Sequence, residues 1–118
     1  MAKFSDIIHL DIANYLTRNY YSLSQAPALR FKRWLQEKYK TKVTLKEAEE
    51  IIGHYREIYE FVRDVLPKFI RPSTTGFASP EFVDDEALEK MVFSKFKKEG
   101  KEVLKIVIGW AIYYEYLR

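Results

Sequence analysis

From Thr44 to Phe69 apolar residues recur every three or four positions without a break. At ~100° per residue, Ala48, Ile51, Ile52, Tyr55, Ile58, Tyr59, Val62, Val65, Leu66 and Phe69 fall on one helical face. Glu49, Glu50, Gly53, Glu57, Glu60 and Asp64 fall on the other. Such a stripe is stable only when other parts of the chain cover it. The start of the run is sharply marked. Thr44-Leu-Lys-Glu47 is a capping box, in which the Thr hydroxyl and the Glu carboxylate each satisfy a free backbone N–H. At the far end Pro67 disturbs the last turn.

The other segments read as helices that can do the covering. Ser5 to about Tyr20 is the first, with Ser5 as N-cap, Asp6 at the positive end of the dipole, and Ile8, Ile12, Tyr15, Leu16 and Asn19 on one face. Ser24 caps a second helix with Pro27 in its first turn. It runs to about Lys40 with Ala28, Phe31, Trp34, Leu35 and Tyr39 as its stripe. Beyond the long helix, residues 71–79 are rich in Pro, Gly, Ser and Thr, which predicts a flexible loop over 70–79.

Ser79-Pro80-Glu81 reads as a helix start, and Asp84-Asp85-Glu86 as an alternative start one turn later. The fourth helix is expected to reach about Lys98, with Leu88, Met91, Val92 and Phe96 inward and Gly100 as its stop. Lys101 to Leu117 is apolar nearly all round, interrupted by Glu102, Lys105 and Glu115. Its Ile106-Val107-Ile108 run also suits a strand, but no other segment offers a partner strand, so a helix is expected. A helix without a polar face is either central or covered by a partner. The fold class that follows is all-α: a single domain over 1–118, a bundle of about five helices, with a long central amphipathic helix (about 44–69) and an apolar C-terminal helix. A chain of 118 residues can build such a core without covalent staples.

Several chemistries lack their residues. With no cysteine, disulfides, thiolate metal sites and a Cys nucleophile are excluded. There are only two histidines, and no Ser or Thr sits in a nucleophile-elbow setting. Thr74-Thr75-Gly76 lacks the Lys and second Gly of a phosphate loop. Asp84-Asp85-Glu86 is more simply a helix cap than an acid–base pair. Glu50, His54 and Glu57 share a helical face at i, i+4 and i+7, a row able to ligate a divalent ion. That face is the polar one, and the other helices supply no matching ligands, so His54 reads as an exposed bystander. The expectation is a non-enzymatic protein without metal, cofactor or small-molecule substrate. No apolar signal precedes Asp6 and Asp11, and Val103–Leu117 falls short of the ~20 residues a membrane span needs. A soluble, cytoplasmic protein with no membrane partner is expected.

Partners are read from charge and aromatics. The net charge is +3, but it is segregated. Seven bases face one acid between Ala26 and Lys46, and eleven acids face five bases between Glu47 and Lys90. Arg30, Lys32, Arg33, Lys38, Lys40, Lys42 and Lys46 could follow a phosphate backbone. The short turn between helices two and three resembles helix-turn-helix spacing in a generic way. Glu47, Glu49 and Glu50 stand where a recognition helix would meet phosphates, which counts against groove reading. Aromatics make up 16% of the chain and crowd its end, so one helix cannot bury them all. Phe61, Phe77, Trp110, Tyr113, Tyr114 and Tyr116 are the expected interface residues, since Trp and Tyr on a surface anchor partners. The expected function is a protein-interaction module or accessory subunit, self-associating or docking a partner through the C-terminal helix. Nucleic-acid binding by the basic segment 30–46 is the alternative.

Overall fold

The computed structural model describes residues 6–19, 27–70 and 83–117, and of Asp6, Tyr116 and Leu117 the backbone alone. Among them are five α-helices: α1 (Asp6–Asn19), α2 (Ala28–Tyr39), α3 (Leu45–Val65), α4 (Asp85–Lys95) and α5 (Lys101–Ile112). The chain is an all-α bundle. The run from Ile106 to Ile108 is helical, because Val103, Leu104, Val107, Ile108 and Ala111 make one buried face at helical spacing.

The long amphipathic stripe is the core. Ala48, Ile51, Ile52, Tyr55, Ile58, Tyr59, Val62 and Val65 of α3 are all buried. They meet Ile12, Ala13 and Leu16 of α1, Phe31 and Leu35 of α2, Leu88 and Val92 of α4, and the buried face of α5. Two core phenols reach outward for polar partners, as buried tyrosines must. Tyr59 donates to Glu115 Oε1 at 3.2 Å, and Tyr55 Oη stands 3.5 Å from His9 Nδ1. Thr17 is the one buried polar residue of the described core, and its hydroxyl donates to the Ala13 carbonyl at 2.6 Å.

The helix ends show where local chemistry sets a boundary. At Thr44 the capping box closes in both directions: Glu47 N–H donates to Thr44 Oγ1, and Thr44 N–H to Glu47 Oε1, each at 3.1 Å. Pro67 ends the α-helical geometry of α3, and the chain tightens into a 3-10 turn over Leu66–Phe69. Pro27 is the N-cap of α2, three residues later than the expected cap at Ser24, and its extended backbone precedes the first helical residue, Ala28. Ser24 lies outside the described residues.

The fourth helix takes the later of its two starts. Ile70 and Val83 form an antiparallel bridge, and Asp84 N–H donates to the Phe69 carbonyl at 2.8 Å. That tether holds Val83 extended, so the helix begins after Asp84, whose carboxylate caps Ala87 N–H at 3.2 Å. Of the expected loop 70–79, only Ile70 lies within the described residues. Two expectations at the other end of α4 are corrected. Met91 is 39% exposed, because the inward row is Leu88, Val92 and Phe96 at i, i+4 and i+8. Gly100 is not a left-handed stop: with φ −64° and ψ 137° it is the N-cap of α5, and α4 closes at Phe96.

Candidate interaction surface

The aromatic end of α5 packs beside α1. Trp110 Nε1 donates to Asn14 Oδ1 at 2.9 Å, and the Tyr114 hydroxyl donates to the Arg18 carbonyl. Both contacts advance four residues on each helix, so α1 and α5 run parallel. Beyond Ile112 the chain widens into a π-helical turn, Tyr113–Leu117. That widening gathers Trp110, Tyr113 and Tyr114 into one cluster, with ring centroids 5.5–5.9 Å apart in edge-on and tilted geometries. Tyr113 is 44% exposed, while Trp110 and Tyr114 are half-buried.

Among the described residues, one face of α5 is uncovered. Glu102, Lys105, Gly109 and Tyr113 are exposed there, beside half-buried Ile106 and Trp110. Asn14, Lys105, Ile106, Gly109, Trp110 and Tyr113 line an open groove of about 530 Å³. A Cβ on Gly109 would meet nothing within 4 Å. This glycine sits mid-helix, where it costs about 1 kcal/mol relative to alanine. No neighbour in the described fold needs the space it leaves.

The remaining interface candidates are scattered. Phe61 is not part of the α5 cluster. Its ring meets Phe96 edge-on at 5.5 Å, with Lys95 Nζ 5.8 Å from its centroid, so the end of α4 half-covers it. Phe77 lies outside the described residues, as does the side chain of Tyr116.

The basic segment divides in two. Arg30, Arg33, Lys40, Lys42 and Lys46 are exposed along α2 and the turn into α3, and Lys32 is half-buried. Lys38 points the other way: it pairs with Asp11 of α1 at 3.2 Å and lies over the Trp34 and Tyr39 rings. Trp34 and Tyr39 are themselves engaged. Trp34 stacks on Tyr15 of α1 at 4.1 Å, nearly parallel, and the Tyr39 hydroxyl donates to the Asp11 carboxylate. Desolvation, with that bond to Asp11, pushes the Tyr39 phenol up to about 12. The same bond, with Lys38 beside it, holds Asp11 below the usual carboxylate range.

His54 is not a bystander. Its Nε2 bonds the carboxylate of Glu99, in the turn between α4 and α5. The two line a second cleft, of about 350 Å³, with Glu57, Phe96, Lys95, Lys97 and Lys98. Among the described residues, no three His, Asp or Glu side chains are grouped to hold a metal ion, the Glu50–His54–Glu57 row included. Nor is any described helix long and apolar enough to cross a membrane.

No family model, curated protein or solved structure matches the chain.

Sequence reasoning passed over Gly109 and Asn14. The signal for Gly109 was present: a glycine breaking an otherwise unbroken apolar segment. Asn14 and Glu99 gave no signal, because their importance comes from residues 96 and 45 positions away.

Proposed function

We propose that this protein is a small non-enzymatic interaction module that docks a protein partner, a second copy of itself included, on the open face of α5. The observation that carries the reading is Gly109. It weakens α5 and relieves no crowding among the described residues, whereas a helix arriving from outside would use the missing Cβ to come close. Around it stand Ile106, Trp110 and Tyr113, a partly exposed apolar and aromatic rim of the composition that anchors interfaces. The proposed setting is the cytoplasm.

Trp110 and Tyr114 also hold α1, so the discriminating variants are Gly109→Leu and Tyr113→Ala. Wild type should show a mass in light scattering that rises with concentration, and both variants should return it toward the monomer. Gly109→Ala should raise stability to urea by about 0.5–1 kcal/mol. A wild type that stays monomeric at high concentration removes self-association and leaves a different protein as the occupant.

A second reading, phosphate-backbone binding, is favoured by the exposed row Arg30, Arg33, Lys40, Lys42 and Lys46. In that case binding to DNA or RNA falls steeply with salt, and Arg30→Ala with Arg33→Ala lowers the salt slope by about two. Absence of binding at low salt to single- and double-stranded forms of both removes it.

A further inference from the structure

Both histidines of the chain lie beside Tyr55, and one of them bonds a glutamate. His54 of α3 bonds the Glu99 carboxylate directly, and the two side chains are 32% and 21% exposed. His9 of α1 approaches the same place, its Nδ1 3.5 Å from Tyr55 Oη, and its charge acts on Glu99. The Tyr55 ring meets the His54 imidazole edge-on at 5.6 Å. Glu99 itself is carried on a closed turn, its N–H donating to the Phe96 carbonyl at 3.0 Å. The next residue, Gly100, starts α5 without a side-chain cap. Three parts of the fold therefore meet at this junction: α1, α3 and the α4–α5 turn.

We propose that the His9–Tyr55–His54–Glu99 junction is a proton-operated fastening, in which protonated His54 holds the α4–α5 turn against α3 and loss of that proton as pH rises loosens the turn. The inference is independent of the docking reading.

The groups facing His54 decide the sign. From the turn and the end of α4 come Glu99, Lys95, Lys97 and Lys98; from its own helix come Glu57 and, one turn back, Glu50; from α1 comes His9. The lysines and His9 oppose an imidazolium, but Glu99 is in direct contact and Glu57 adds to it. The hydrogen bond that its imidazolium donates to Glu99 raises His54 above its ordinary value of 6.5, against desolvation, and the attraction of Glu99 and Glu57 reinforces it. Glu99 is lowered from 4.5, first by the His54 hydrogen bond, against desolvation, with the charges of His54 and His9 adding. A raised histidine contributes stability that is full below 6.5 and is lost as pH rises through its folded value. A lowered carboxylate contributes stability that is full above 4.5 and is lost as pH falls through its folded value. The fastening is thus complete between 4.5 and 6.5.

The test is an NMR titration of the imidazole resonances in the full chain, with amide exchange at Glu99 followed at pH 5.5 and pH 8. The His54 midpoint should lie above that of free histidine in wild type and fall in Glu99→Gln. After correction for intrinsic chemistry, the Glu99 amide should be better protected at pH 5.5. Each pH unit by which the wild-type His54 midpoint exceeds that of free histidine corresponds to a tenfold change in the closed-to-open ratio of the turn. A wild-type midpoint at or below the free value, or a corrected protection equal at both pH values, overturns the proposal. Both readouts use wild type, so they stand even where Glu99→Gln folds poorly.

Discussion

Lys40 is the described residue whose backbone departs furthest from what its side chain prefers. At φ 54° and ψ 31° it occupies the left-handed region, and its N–H donates to the Gln36 carbonyl at 2.9 Å to close α2. Glycine takes that conformation without a Cβ clash, whereas other L-residues pay about 1 kcal/mol or more. Lys40→Gly should therefore raise stability by up to about 1 kcal/mol, read as a higher urea midpoint with an unchanged slope. Nothing in the sequence marks this position, since lysine is no signature of a left-handed cap. Gly100 shows the converse. A glycine after Lys97 and Lys98 reads as a helix stop, yet its φ of −64° is open to any residue. Residue type alone does not reveal which conformation the flanking contacts impose.

At the scale of the helix, legibility follows how local the cause is. The capping box at Thr44 was readable because both of its bonds join residues three apart. The face of α3 was readable because eight buried residues repeat with the helical period. The start of α4 was not, because the choice between Ser79 and Asp84 is made by Phe69, on a different element. The contact of Phe61 with Phe96 was not readable for the same reason: the bundle brings the two rings together. Thr44→Ala removes a bond that only the start of α3 uses. It should cost about 1 kcal/mol in chemical denaturation while the far-ultraviolet circular dichroism of the folded state stays the same. A loss near zero would mean that packing of Ala48 and Ile51 alone fixes where α3 begins.

For the whole molecule, the polar contacts between helices impose a pH dependence. Asp11 of α1 is held low by Tyr39 and Lys38 of α2, so its contribution is full above 3.8 and is lost as pH falls through its lowered value. Glu99 adds a second loss on the same side, below 4.5. Thermal midpoints should fall as acid is added below about pH 4. Asp11→Asn should make that fall shallower and leave the loss linked to His54, above 6.5, as it is. An acid limb of equal steepness in Asp11→Asn would place the α1–α2 contact outside the stabilising set. The candidate site was legible only as a list of aromatics at this scale. Which of them are held against α1 depends on the parallel pairing of α1 with α5, and that pairing has no local signature.

The same pairing has a consequence for how the protein is made. The partners in the Trp110–Asn14 and Tyr114–Arg18 bonds are 96 residues apart, so α1 leaves the ribosome long before the helix it lies against exists. During synthesis α2 and α3, joined by a short turn, can close on each other first, because near neighbours in sequence meet fastest. The apolar side of α1, with Ile12 and Leu16, must wait until the last residues emerge. Its protection in that interval falls to early contacts with α3 or to whatever folding assistants the cell provides.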